Sequence, residues 1–177
     1  MGRQRRTVPP MTTTDTLPTT EDPAVPRLDF DAHAAGFSRA ISHLHNAAVK
    51  ELDAADIDPK LRELVRLRAS QLNGCAYCID MHSKDARAIG ETEQRLYALT
   101  AWRETGFFDA RERAALAFCE AVVRMSDTHV PRAAFDEVAS AFTEKELAAL
   151  ISLVISINAW NTVGVSTHTW EPGTYEG

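Results

Sequence analysis

The chain has 177 residues, 45% hydrophobic and 25% charged, which suits one soluble globular domain with its own core. The formal net charge is −6 and no basic patch stands out, which speaks against nucleic acid as the main partner. Three cysteines are too few for a disulfide framework; two of them share one C-x-x-C, which in an intracellular protein points to redox or metal chemistry.

Residues 1–26 are rich in Thr and Pro and poor in large apolar side chains, so they cannot offset the entropy of ordering and are expected to form a disordered tail. Met11 offers an alternative start. Arg3, Arg5 and Arg6 are followed by Thr7-Val8-Pro9-Pro10 rather than an apolar stretch, so no secretory or twin-arginine signal is expected. The longest apolar run, residues 147–160, is interrupted by Ser152, Ser156 and Asn158 and reads as too short to cross a membrane. The expected location is the cytoplasm, and the folded domain is expected over residues 27–177.

Over residues 31–53, Phe37, Ala40, Ile41, Leu44 and Ala48 recur at helical steps. His43 and His45, two apart, cannot face the same way and read as solvent-facing or rim histidines. Asp58-Pro59 is a cap followed by proline at the first helical position, opening a helix to about residue 72. Its core stripe holds Leu61, Leu64, Val65, Leu67 and Leu72, with Glu63 at the edge and Arg62 and Arg66 on the outer face.

Asn73-Gly74 stops that helix, glycine being the usual residue where φ turns positive. A new helix is expected from about Cys75 to Gly90, then a short one over residues 92–102. Asp109 with Glu112 forms a capping box, Phe108 is placed for a hydrophobic staple, and the helix runs to about residue 125 with Cys119 in its buried stripe. Pro131 opens a further helix. Thr143 with Glu146 caps the last long one, apolar nearly all round to about residue 165 and therefore central or shared with a partner chain. Residues 167–177 read as irregular. With no strand pattern and no repeat, the chain reads as all-α with about seven helices.

The chemistry concentrates in residues 73–82. At about 100° per residue, Cys75, Cys78, Ile79, His82, Ala86 and Ile89 share one apolar arc, with Asp80, Lys84 and Arg87 opposite. A thiol attacks as its thiolate, and a helix N-terminus, an imidazole four residues on and a neighbouring sulfur all favour that form. Cys78 with His82 makes a nucleophile–base pair, and Cys75 can close a disulfide across a helical turn. These parts suit a cycle of sulfenic acid, disulfide and reduction. The helix dipole favours Cys75 as the thiolate and His82 favours Cys78, so spacing alone leaves the order open.

The stretch from Glu63 to His82, Glu-x(11)-Cys-x-x-Cys-x-x-x-His, closely resembles the active-site signature of the AhpD-like (alkyl hydroperoxidase D-like) branch of the carboxymuconolactone decarboxylase superfamily. The resemblance continues, more loosely, through residues 90–96 and 157–161 and covers roughly residues 30–170. It implies an all-helical AhpD-like fold in a homo-oligomer, often a trimer or hexamer. The implied activity is reduction of hydroperoxides at the expense of an external thiol or dithiol, with no cofactor or metal. Carried over, it makes Cys78 the peroxidatic residue, Cys75 the resolving one, and His82 and Glu63 the proton relay. Tyr77 stands where well-known members have a histidine, which implies a shorter relay. Members that decarboxylate a lactone generally lack the cysteine pair.

Two other readings compete. Cys75, Cys78, His82 and Glu63 could supply four zinc ligands, although zinc sites usually draw on separated segments. The thiol pair could also be a redox-sensing or structural disulfide in a helical oligomer without turnover.

Overall fold

The computed structural model describes residues 25–177, so the tail expected over residues 1–26, and Met11 with it, lies outside the described residues except at its last two positions. Every regular element among the described residues is helical. The helices are α1 (Phe30–His33), α2 (Ala35–Ala54), α3 (Pro59–Asn73), α4 (Ala76–Ala88), α5 (Glu93–Ala98), α6 (Ala110–Val123), α7 (Met125–Thr128), α8 (Arg132–Ala141) and α9 (Glu144–Thr167), with a 3₁₀ segment, Leu99–Glu104, after α5.

The predicted punctuation is where it was expected. Asp58 accepts hydrogen bonds from the N–H groups of Lys60 and Leu61, with Pro59 behind it. Gly74 ends α3 at φ 72°. Capping boxes at Asp109/Glu112 and Thr143/Glu146 open α6 and α9, and Phe108 is buried beside α6. The expected count of seven rises because single residues break longer runs. Ala34, at φ −131°, separates α1 from α2, and Arg124 separates α6 from α7. The helix expected over residues 92–102 tightens to 3₁₀ after Ala98, with Ala101 outside helical geometry.

Helix α9 is the axis of the fold, packed by α2, α3, α4, α6 and α8. Leu150, Leu153, Val154 and Ile157 face inward into the main core with Leu61, Val65 and Phe118. A second cluster of Leu64, Leu67, Leu99, Trp102 and Phe108 lies on the other side of α3. The helix has 24 residues, ten more than the 147–160 run. It is therefore long and apolar enough, by length and composition alone, to cross a bilayer, contrary to the sequence expectation. Here its inner face is spent on the core.

Two faces differ from the sequence reading. The core stripe of α2 is Ile41, Ala48 and Leu52. Phe37, 64% exposed, Ala40 and Leu44 lie outside it. The stripe is rotated toward Ile41, His45, Ala48 and Leu52, a set at helical spacing that Phe37 and Leu44 mask. Helix α3 is wrapped on nearly all sides, so Glu63 is buried and the side chains of Arg62 and Arg66, expected on an outer face, are mostly covered. Each arginine is paired: Arg62 donates to Asp53 and to the Ile57 carbonyl, Arg66 to Glu63. Ile89, expected on the arc of α4, is 43% exposed because the helix stops at Ala88 and Gly90 turns the chain at φ 85°.

Candidate functional site

The turn between α3 and α4 places the two thiols. Gly74 lets the chain reverse, and the N–H of Cys75 then donates to the Ser70 carbonyl at 3.0 Å. Helix α9 holds this turn through amide contacts. Asn73 donates to the side-chain oxygens of Asn158 (2.7 Å) and Asn161 (3.0 Å), and Asn161 donates to Ser70 Oγ at 3.1 Å. Cys75 is the N-cap of α4 rather than its first residue, and Cys78 lies within the first turn. Their sulfurs are joined in a disulfide, Cα to Cα 5.3 Å, and both residues are buried.

One turn further, His82 is buried with its Nδ1 2.8 Å from Glu63 Oε2. A carboxylate accepts, so Nδ1–H is the donor and the lone pair of the neutral ring sits on Nε2. Nε2 is buried with no hydrogen-bond partner among the described residues. The other oxygen of Glu63 accepts from Arg66. Burial alone would raise the Glu63 carboxyl. The hydrogen bond from His82 and the charge of Arg66 outweigh it and hold the group below its ordinary value. The result is a chain, Arg66–Glu63–His82, that ends in an unused basic nitrogen four residues from Cys78.

Cys78 and His82 line one cavity of about 280 Å³. Arg66 and His45 supply its polar part; Met81, Ile157, Trp160, Tyr77 and Trp170 supply apolar surface. His45 is therefore a rim residue of the site itself and not of the solvent surface, whereas His43 is exposed. Burial pushes the His45 imidazole below its ordinary value, aided by the charges of Arg66 and His82 and opposed by Glu63. The structure thus brings all four predicted residues, Glu63, Cys75, Cys78 and His82, into one neighbourhood and adds Arg66 and His45.

It also adds the C-terminal segment. This stretch is irregular, as expected, yet tied to the outer face of α4. The N–H of Gly173 donates to Asp80 (3.1 Å), Lys84 to the Tyr175 carbonyl (2.8 Å) and the Tyr175 hydroxyl to Asp85 (2.8 Å). That last bond pushes the Tyr175 phenol up to about 12. Trp170 packs against Tyr77 at 5.6 Å and Trp160 at 5.7 Å between ring centres. Two aromatics in an otherwise polar tail were the only sequence signal for this.

Side-chain donor atoms of Glu63, His82 and Asp85 lie within 4.8 Å of one another. Arg66 and the His82 N–H already occupy Glu63, and Tyr175 occupies Asp85, so a cation there would displace bonds the fold makes. The bonded sulfurs offer no thiolate in this state, so the four-ligand zinc set is not assembled. Cys119 is fully buried on α6, its Sγ 3.6 Å from the Val65 carbonyl. Burial, with the charge of Glu120 adding and Arg68 opposing, pushes its thiol up to about 12, which disfavours the thiolate.

A model of the carboxymuconolactone decarboxylase family matches residues 35–121, a span that includes Glu63, Cys75, Cys78 and His82. The uncharacterized protein YdfG of Bacillus subtilis is 40% identical over 112 residues, 63% of this chain and 76% of the relative. A crystal structure from Agrobacterium tumefaciens, of a protein of unknown function proposed to be an antioxidant defence protein AhpD, superposes with TM-score 0.77 at 29% identity. That match covers 84% of this chain and 99% of the other. The debrominase Bmp8 shares the fold, with TM-score 0.68 at 22% identity over 80% of this chain and 74% of its own. With its helical fold and the cysteine pair inside the matched span, the chain belongs to the carboxymuconolactone decarboxylase family as an AhpD-like member.

Proposed function

We propose that this protein is a thiol-dependent peroxidase that reduces organic hydroperoxides through the Cys75–Cys78 pair. One observation carries the reading: His82, which lines the same cavity as Cys78, commits Nδ1 to Glu63 and leaves Nε2 without a partner among the described residues. In the reduced protein, Nε2 takes the Cys78 proton, and Glu63, kept ionised by Arg66, stabilises the imidazolium. The thiolate attacks the distal oxygen of ROOH; the S–O bond forms as the O–O bond breaks. The leaving alkoxide takes the proton back from Nε2, giving Cys78–SOH and ROH. Arg66 lines the same cavity, and its charge favours the developing alkoxide.

Cys75 then attacks the Cys78 sulfur. An S–S bond replaces S–OH, and the hydroxide leaves as water with the Cys75 proton. An external dithiol returns two electrons and two protons. Cys78 is thus the peroxidatic residue, Cys75 the resolving one, and His82 and Glu63 the relay; no metal or cofactor takes part. Tyr77 packs on Trp170 and stays out of the relay.

We place the protein in the cytoplasm, as one domain over residues 27–177 acting as a homo-oligomer of three or six subunits. The large apolar side chains left exposed on α2 and α9, Phe37, Leu44 and Ile155, support a covered face in that assembly.

The test is peroxide consumption with a dithiol reductant in wild type and single-cysteine variants. Turnover should vanish in both Cys78→Ser and Cys75→Ser, and a trapped sulfenic acid should appear only in Cys75→Ser. Equal activity in wild type and Cys78→Ser would exclude the enzyme. One disulfide formed per chain, with no turnover, would favour the redox-sensing alternative.

A further inference from the structure

The two sulfurs of the disulfide do not share a cavity. Cys78 lines the one described above. Cys75 lines a second, of about 210 Å³, with Gly74, Ala76, Gly164, Val165 and His168. Tyr77 and Trp170 line both, with their rings packed on each other. The second cavity carries no charged side chain; its walls are small or apolar apart from the tyrosine, the indole and the half-buried imidazole of His168. Gly164 keeps it open beside the sulfur: a Cβ there would lie 3.0 Å from Cys75 Sγ and 3.4 Å from the Trp170 ring.

We propose that the second cavity is the reductant site and that the external thiol attacks Cys75, not Cys78. The assignment rests on the dithiol cycle proposed above. The chemistry favours it on two counts. Exchange is faster when the expelled thiolate is the better leaving group. Attack on Cys75 expels Cys78, which lies one helical turn from the unpartnered Nε2 of His82. Attack on Cys78 would instead place the adduct in the peroxide cavity and block it.

In the step itself, the reductant thiolate forms a bond to Cys75 Sγ while the Cys75–Cys78 bond breaks. The electron pair goes to Cys78, which returns as the thiolate ready for the next peroxide. A second thiol, from the same dithiol or another thiol molecule, attacks the reductant's sulfur in the mixed disulfide and expels Cys75. The reductant leaves as its disulfide, two electrons poorer, and its two protons complete the thiols.

The experiment uses the full chain oxidised with diamide, so that it works whether or not peroxides are substrates. Glutathione is added, the mixture is quenched in acid and alkylated, and the mixed disulfide is located by peptide mass spectrometry. Glutathione on Cys75 with alkylated Cys78 is the expected result; glutathione on Cys78, or on both equally, overturns the assignment. A rate measurement decides the case in which the adduct decays before the quench. Ala76 is exposed at the first position of α4 and lines only the second cavity. In Ala76→Leu, reduction by glutathione should slow about fivefold or more, and reduction by the smaller mercaptoethanol should slow less. A glutathione rate equal to wild type overturns the proposal. A Cys75 adduct without peroxide turnover would refute the peroxidase reading and leave this assignment standing; turnover with a Cys78 adduct would refute this assignment alone.

Discussion

Two places in this fold bring together a cysteine, a buried glutamate and an arginine, and their hydrogen-bond networks end differently. On α6, Glu120 accepts from Arg68 (2.7 Å), from the Trp102 indole N–H (2.9 Å) and from Arg103, so both its oxygens are used within the structure. Its neighbour Cys119 faces a backbone carbonyl in the core. On α3, Glu63 also uses both oxygens, but one bond goes to an imidazole that passes the interaction on and keeps a free nitrogen. Burial raises both carboxyls, and hydrogen bonds and guanidinium charge then hold both below their ordinary value. Ionisation is therefore not what separates them. The difference is an unsatisfied atom on a cavity-lining residue, against a network closed on itself.

The comparison is broken most directly by exchanging its thiols. Cys78→Ser should lower peroxide turnover by at least about a thousandfold, whereas Cys119→Ser should leave it within about twofold, measured by steady-state peroxide consumption. Next in size is the relay. His82→Gln and Glu63→Gln should each cost about a hundredfold in turnover, and the double variant little more than either alone, because the two act as one unit.

At the closed network the loss should appear as stability instead. Glu120→Ala leaves Arg68 buried without its partner and should cost about 3 kcal/mol in denaturant unfolding, with turnover per folded molecule retained. Equal turnover losses in the Glu63 and Glu120 variants would erase the distinction. The smallest effect is on acid unfolding. A carboxyl held below its ordinary value of 4.5 stabilises the fold above that pH, and the contribution is lost as pH falls through the lowered value. Unfolding followed against pH should therefore show a shallower acid limb in Glu63→Gln than in wild type.

The local devices of the fold were readable because each is a short-range physical signal. Asp58-Pro59, Asn73-Gly74 and the two capping boxes act through side chains within three residues. That the four candidate residues lie together was readable because an i, i+4 spacing and a signature link them. What failed needed the identity of distant neighbours. Arg66 was read as an outer residue because periodicity assumes one solvent face, and α3 has almost none. His45 was set aside because it and His43, two apart, cannot share one helix face, and nothing local shows that His45 alone turns toward α3 and α4. Trp170 lies in a segment without a period, and its partners Tyr77 and Trp160 are 93 and 10 positions away along the chain.

The tethered C-terminal segment matters for anyone handling this protein. Gly177 lies beside the Lys84 and Asp85 side chains, against the same helix that bears the dithiol. A purification handle or fluorescent label fused there would emerge next to the reactive helix and pull on the residues that seat Trp170. Assays on such material would report the handle along with the protein.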